Sequence, residues 1–138
     1  MTVTIPDSHK DLLERAVVVT LSTVSADGKP SAVPVWRRWD GEFLLITSDP
    51  DTHKHRNILA NPHVAVVALD HKNPYRYLIV KGIVETVTHD GALEELNRHA
   101  LMYVGKPNYF GDVEPIEKLA EYNGVVFKIR PTQIAGFG

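Results

Sequence analysis

The strongest constraint on this chain is its punctuation. Between positions 17 and 69, short β-branched runs are cut by Asp27-Gly28, Asp40-Gly41 and Asn61-Pro62. Runs this short do not make amphipathic helices, and Asp-Gly between two of them signals a tight hairpin, since glycine accepts the positive φ that the turn needs. Residues 17–24 read as a first strand. Pro30 limits where the second begins, and 31–38 is that strand, with Val33 and Val35 on one face and Pro34 and Trp36 on the other. Residues 42–48 complete a second hairpin. The segment 64–69 is nearly all apolar, the pattern of a strand buried on both faces. Residues 75–88 make either one long strand or a strand with a bulge near Gly82, and 125–130 form a last strand closed by Pro131.

Helices interrupt rather than dominate. Pro6-Asp7-Ser8 starts one, with Leu12, Leu13 and Ala16 on a common face. Asp49-Pro50-Asp51-Thr52 caps another over 53–60, stopped by Asn61-Pro62. Asp90 is placed to cap a helix over 91–104 with a stripe of Leu93, Leu96, Ala100, Leu101 and Val104, and Pro115 suits the first turn of a helix ending near Asn123-Gly124. Antiparallel strands joined by tight hairpins, with small helices between, point to one mainly β domain over residues 1–138, a closed barrel flanked by helices.

Composition narrows the function classes. The chain has 138 residues, 43% of them hydrophobic, enough for one real core. Its net charge of −2, with both signs mixed, argues against a nucleic-acid surface or an anionic membrane surface. With no cysteine, thiolate metal sites and cysteine nucleophiles are out. Seven histidines show no metal-ligand spacing, and His53 and His55, two apart on a helix, point in different directions, so no metal site is expected. No apolar run is long enough to cross a bilayer, and residues 1–15 lack the apolar segment of an export signal, which makes the cytoplasm the expected location. No G-x-S-x-G elbow, G-x-G-x-x-G or P-loop occurs.

Three groups of residues carry a chemical reading. Thr52, Lys54, Arg56 and Asn57 cluster at a helix start, just after Thr47 and Ser48 at a strand end. Unpaired backbone N–H groups and the helix dipole favour an anion there, and an ammonium, a guanidinium and neutral donors suit a terminal phosphate. The same cluster could instead be a solvated basic face. Val33, Pro34, Val35 and Trp36 offer an apolar slot with strand-edge polar groups, as a planar ring system requires, or else ordinary barrel packing. Between Gly105 and Gly111, Tyr109 and Phe110 sit where a flap could grip a conjugated substrate; a plain connector is the alternative.

The order of features resembles the split β-barrel flavin-binding family that includes pyridoxamine 5'-phosphate oxidase and the deazaflavin (coenzyme F-420) dependent reductases. The matching stretches are Leu21-Ser-Thr-Val-Ser-Ala-Asp-Gly-Lys-Pro30, Val33-Pro-Val-Trp36, Ile46-Thr-Ser48, Thr52-His-Lys-His-Arg-Asn57, Asn73-Pro-Tyr-Arg-Tyr-Leu-Ile-Val-Lys-Gly82 and Tyr103-Val-Gly105. The resemblance implies a six-stranded antiparallel split barrel, a homodimer, and FMN or deazaflavin coenzyme F-420 in a groove between two subunits. It implies a phosphate contact for the segment carrying Thr52 and Lys54, with His53 where relatives often have Arg, and a reach across the dimer for Arg76 and Tyr77 beside Tyr75. Asn73-Pro-Tyr-Arg-Tyr77 and Tyr103-Val-Gly105 look more like the deazaflavin branch. Since the sequence ends at Gly138 without the Arg- and His-bearing tail of the true oxidases, a reductase of a small substrate is expected over pyridoxamine-phosphate oxidation. A non-catalytic flavin or haem carrier or sensor stands as the rival reading.

Overall fold

The structure is a computed structural model that describes residues 3–138. Seven strands, β1 (Val19–Val24), β2 (Pro30–Val35), β3 (Arg38–Trp39), β4 (Leu44–Ser48), β5 (His63–Leu69), β6 (Tyr77–Thr88) and β7 (Val125–Phe137), pair antiparallel in the order β2-β1-β5-β6-β7-β4-β3. Its two edge strands, β2 and β3, are separated in the chain only by Trp36 and Arg37. Laid flat, the sheet would hold its edges roughly 29 Å apart, six spacings of about 4.8 Å. The chain from Val35 to Arg38 reaches at most about 11 Å. The sheet therefore curls until its edges meet, and the expected mainly β split barrel forms. Its strand count rises from six to seven because the strand expected over 31–38 breaks at Trp36-Arg37.

That seam is pinned from inside. Arg37 is fully buried, and its Nη2 donates to the carbonyls of Leu12 (2.8 Å) and Arg15 (2.6 Å), the end of α1 (Asp11–Glu14). The Tyr103 hydroxyl accepts from the Arg37 amide at 3.2 Å and lies within reach of the carbonyls of Val17 and Arg37. The barrel interior is filled by Leu21, Leu44, Ile46, Val66, Leu78, Phe127 and Ile129. α2 (His53–Ala60) and α3 (Ala92–Val104) flank it.

Four expectations need correction. β5 is not buried on both faces: Val64, Val66 and Ala68 point in, whereas Val67 and Leu69 are exposed, because a barrel strand has only one inner face. Pro131 does not close β7, which runs on to Phe137. It faces Gly82 where the register with β6 shifts, and at such a bulge a missing N–H breaks no ladder bond. Of the two forms expected for this strand, the one with a bulge at Gly82 is present, and a Cβ there would come within 2.7 Å of the Arg130 carbonyl. In α3 the cap is Gly91 rather than Asp90, and Leu101 and Val104 are exposed; the buried face carries Glu95 and His99 because a half-buried partner, Arg38, awaits Glu95 on β3. The helices expected after Pro6 and Pro115 are short 3₁₀ or single-turn pieces, including Ile116–Glu121.

Candidate functional site

β4 delivers Thr47 and Ser48 to the start of α2. Thr52 caps that helix, its side chain accepting from the His55 amide at 3.3 Å. The Ser48 hydroxyl donates to the Asp49 carbonyl at 2.7 Å and lies 2.9 Å from the Thr52 hydroxyl. The hydroxyls are thus ordered around the helix N-terminus before any ligand arrives. Asn57 is buried one turn on and donates to Thr23 Oγ1 at 3.0 Å, tying α2 to β1.

Above this corner lie two joined hollows of about 410 Å³ and about 490 Å³, which share Thr47, Lys54, Leu96 and Tyr109. The smaller is walled by Val18, Pro34, Val35 and Trp36. The larger extends past Ser48 and Phe110 to Lys118, Glu121 and Tyr122. Trp36 stacks flat on Tyr103, with ring centroids 5.3 Å apart and planes 9° apart, and meets Tyr109 edge-on at 6.4 Å. The rings continue through Phe110, 5.1 Å from Tyr109, to Tyr122, 5.3 Å from Phe110. An aromatic wall therefore lines the groove from the barrel seam to the 3₁₀ segment.

α3 holds this wall in place. Leu96 forms part of the groove, and Asn97 Oδ1 accepts from the Tyr109 amide at 2.9 Å. Behind them Glu95 accepts two bonds from Arg38, at 2.7 and 2.8 Å, and His99 Nε2 stands 3.1 Å from Glu95 without the alignment of a hydrogen bond. Burial alone would raise the Glu95 pKa, but the bonds from Arg38 and the neighbouring His99 outweigh it and hold the carboxyl at about 2. Burial pushes the phenol of Tyr122 up to about 12 and raises that of Tyr109; the Asp49 carboxylate adds to both, and Glu114 adds to Tyr109. Both rings stay neutral at physiological pH.

Of the residues singled out from sequence, Pro34, Val35, Trp36, Thr47, Ser48, Lys54, Tyr109 and Phe110 converge on this one groove. Thr52 supports it through Ser48. Val33, half-buried on β2, lines neither hollow, and neither does exposed His53. Arg56 turns to the Asp51 carbonyl. Arg76 and Tyr77 lie elsewhere in this chain: Arg76 pairs with Asp11 and Asp70, and Tyr77 stacks on Phe137 at 5.0 Å. Sequence reading missed Leu96, Asn97, Lys118 and Tyr122. The signal for Leu96 and Asn97 lay in the unbroken helical phase of 92–104, which sets Asn97 one step past Leu96; Lys118 and Tyr122, in and just after the 3₁₀ segment, carried no such signal. Among the described residues no group of three His, Asp or Glu is placed to hold a metal, and no helix is long and apolar enough to cross a membrane.

A family model described as pyridoxamine 5'-phosphate oxidase matches residues 5–136. A solved structure described as "F420 Reductase" is 36% identical, with a TM-score of 0.80, over 95% of this chain and 98% of that one. HutZ, the heme storage protein from Vibrio cholerae, shares the fold at 18% identity and a TM-score of 0.71, covering 99% of this chain and 96% of its own. HupZ from Group A Streptococcus does so at 20% identity and 0.67, covering 96% and 94%. No curated protein sequence gave a match.

Proposed function

The chain belongs to the pyridoxamine 5'-phosphate oxidase family, and we propose that within it this protein is an oxidoreductase that holds FMN or deazaflavin coenzyme F-420 in the groove beside Trp36. The observation that carries this reading is the convergence of an aromatic wall, ordered hydroxyls and the Lys54 ammonium on one continuous hollow. That donor set fits a flat ring system ending in a phosphate. Pro34, Val35 and Trp36 would take the ring, while Lys54, Thr47 and the α2 amides capped by Thr52 would take the phosphate. Lys54 forms no ion pair among the described residues, so its charge is available to a ligand.

When bound, such a cofactor supplies hydride transfer to or from a small conjugated substrate. The chain's own part is to orient the ring, exclude water with Tyr109 and Phe110, and keep the Trp36 wall rigid through Tyr103. The 36% identical relative favours the deazaflavin and a reductase over pyridoxamine-phosphate oxidation. The likeness to the heme storage protein, at 18% identity, supports the shared fold and not a haem-carrier role. A homodimer completes the proposal. The outer face of β5, β6 and β7 brings Val67, Leu69, Ile79 and Phe137 into register, an apolar stripe that a second copy would cover.

Titration of the purified protein with FMN and with coenzyme F-420, followed by absorbance and calorimetry, tests the reading. Saturable binding of one of them at micromolar concentration is expected. Binding of neither, or of haemin alone, would overturn it. Sedimentation should show a dimer, and a folded monomer at micromolar concentration would reject that part.

A further inference from the structure

The two hollows of the groove differ in charge as well as shape. The smaller presents Val18, Pro34, Val35 and Trp36 with Lys54 as its only charged group. The larger adds three carboxylates, Asp49, Glu114 and Glu121, against one further ammonium, Lys118. Lys118 Nζ already donates to Glu114 at 2.9 Å, which neutralises that pair. Asp49 and Glu121 make no ion pair among the described residues. Once Lys54 is occupied by a cofactor phosphate, the larger hollow is left with two uncompensated negative charges.

Those charges surround rings. Tyr109, Phe110 and Tyr122 stand in edge-on and tilted contact, so their faces and edges bound one space of about 490 Å³. An aromatic enclosure favours a flat guest, and its π-faces attract positive charge. The tyrosine hydroxyls register the same field, since Asp49 lies among the charges that raise both. Once Lys54 is engaged by the cofactor phosphate, a second anion gains nothing from this half of the groove, where Asp49 and Glu121, the charged side chains left without an ion pair among the described residues, carry its own sign.

We propose that the hollow bounded by Tyr109, Phe110 and Tyr122 is a binding site for planar aromatic cations, and that Asp49 and Glu121 set this charge preference. The proposal rests on the cofactor reading in one respect: it takes Lys54 to be neutralised by the cofactor phosphate, so the preference sharpens when the cofactor is present. It narrows the substrate class to flat, positively charged, electron-poor rings such as N-alkylated heteroaromatics. Both carboxylates are solvent-accessible, so the discrimination is modest and salt-dependent.

Three near-isosteric probes decide the matter by calorimetry and by quenching of tryptophan fluorescence: 1-methylquinolinium, 1-methylnaphthalene and 1-naphthoate. The full-length protein is titrated without cofactor and again with saturating cofactor. We expect the cation to bind roughly three- to tenfold tighter than the neutral probe, and the anion weakest. In an Asp49→Asn, Glu121→Gln double variant the cation should fall to within about twofold of the neutral probe. Phe110→Leu should weaken both the cation and the neutral probe. If that variant does not fold, the surface charge double variant still decides. Equal binding of the three probes, or preference for the naphthoate, would overturn the proposal. The proposed function is read separately, by cofactor binding, so a protein that takes the cofactor without preferring the cation defeats this inference alone.

Discussion

Lys54 and Arg76 are both cations set near a turn, and their surroundings are opposite. Lys54 is half-buried at the start of α2, lines both hollows and has no carboxylate partner among the described residues. Arg76 is committed on every side. It pairs with Asp11 and Asp70, and its Nη2 also donates to the Ser8 carbonyl, tying the N-terminal segment to the β5–β6 connection. Arg38 shows the committed state in a half-buried form, locked in two bonds to the buried Glu95. The contrast teaches that charge alone does not mark a binding site. A cation becomes a ligand contact where the fold leaves it unpaired beside a cavity, and a staple where the fold supplies its partner.

Breaking the committed side should have the largest effect. Glu95→Ala leaves the Arg38 guanidinium without its partner, and because that side chain is 29% exposed the change costs about 3 kcal/mol, the lower end for breaking a buried pair; chemical denaturation would measure it. Cofactor affinity should fall only as far as Trp36 and Leu96 shift. A loss below about 1 kcal/mol would show that the Arg38–Glu95 pair is solvated and not a true staple.

Acid should reproduce part of that loss. Glu95 is held at about 2, below its ordinary 4.5, so it binds its proton less readily when folded. Its contribution is therefore fully present above about pH 4.5 and is lost as pH falls towards about 2, a decline of roughly 3 kcal/mol. Urea midpoints between pH 6 and pH 2 would show the slope. In Glu95→Gln that component of the slope should vanish, and its persistence would assign the acid sensitivity elsewhere.

On the unpaired side, Lys54→Ala should cost about 1–3 kcal/mol of cofactor binding while leaving the unfolding midpoint nearly unchanged. Arg76→Ala should do the reverse. The N-terminal segment should become a protease target, with cofactor affinity intact. If affinity falls instead, Arg76 reaches the groove of a second subunit, as the family resemblance implies. The smallest effect is expected for Arg56→Ala, because Arg56 already donates to the Asp51 carbonyl and lines neither hollow. A loss equal to that of Lys54→Ala would mean that ligand binding redirects it.

Much of the architecture was legible in the sequence because its determinants are local. Asp27-Gly28 and Asp40-Gly41 mark their turns with positive φ at both glycines, and α2 runs over the residues its cap and stop signals specify. The half of the groove built from neighbours in sequence, 34–36 and 47–54, was legible for the same reason. What was hidden depends on partners far along the chain. Glu95 inverts the expected polarity of α3 only because Arg38, 57 positions away, meets it. Asn97 matters only because Tyr109 folds back onto it. Pro131 reads as a strand end until Gly82 is seen opposite it. No window of sequence contains both members of such pairs.

The two-residue seam at Trp36-Arg37 has a thermodynamic corollary. The backbone there leaves the sheet ladder and is held by the Tyr103 phenol, while the Trp36 ring both stacks on that tyrosine and faces the groove. Seam closure and groove shape are therefore one degree of freedom. By linkage, whatever binds against Trp36 in its closed position must tighten the seam by the same free energy that the closed seam contributes to binding. Ligand occupancy should then slow amide hydrogen exchange at Arg37 and at the end of α1 that pins it, residues that line neither hollow.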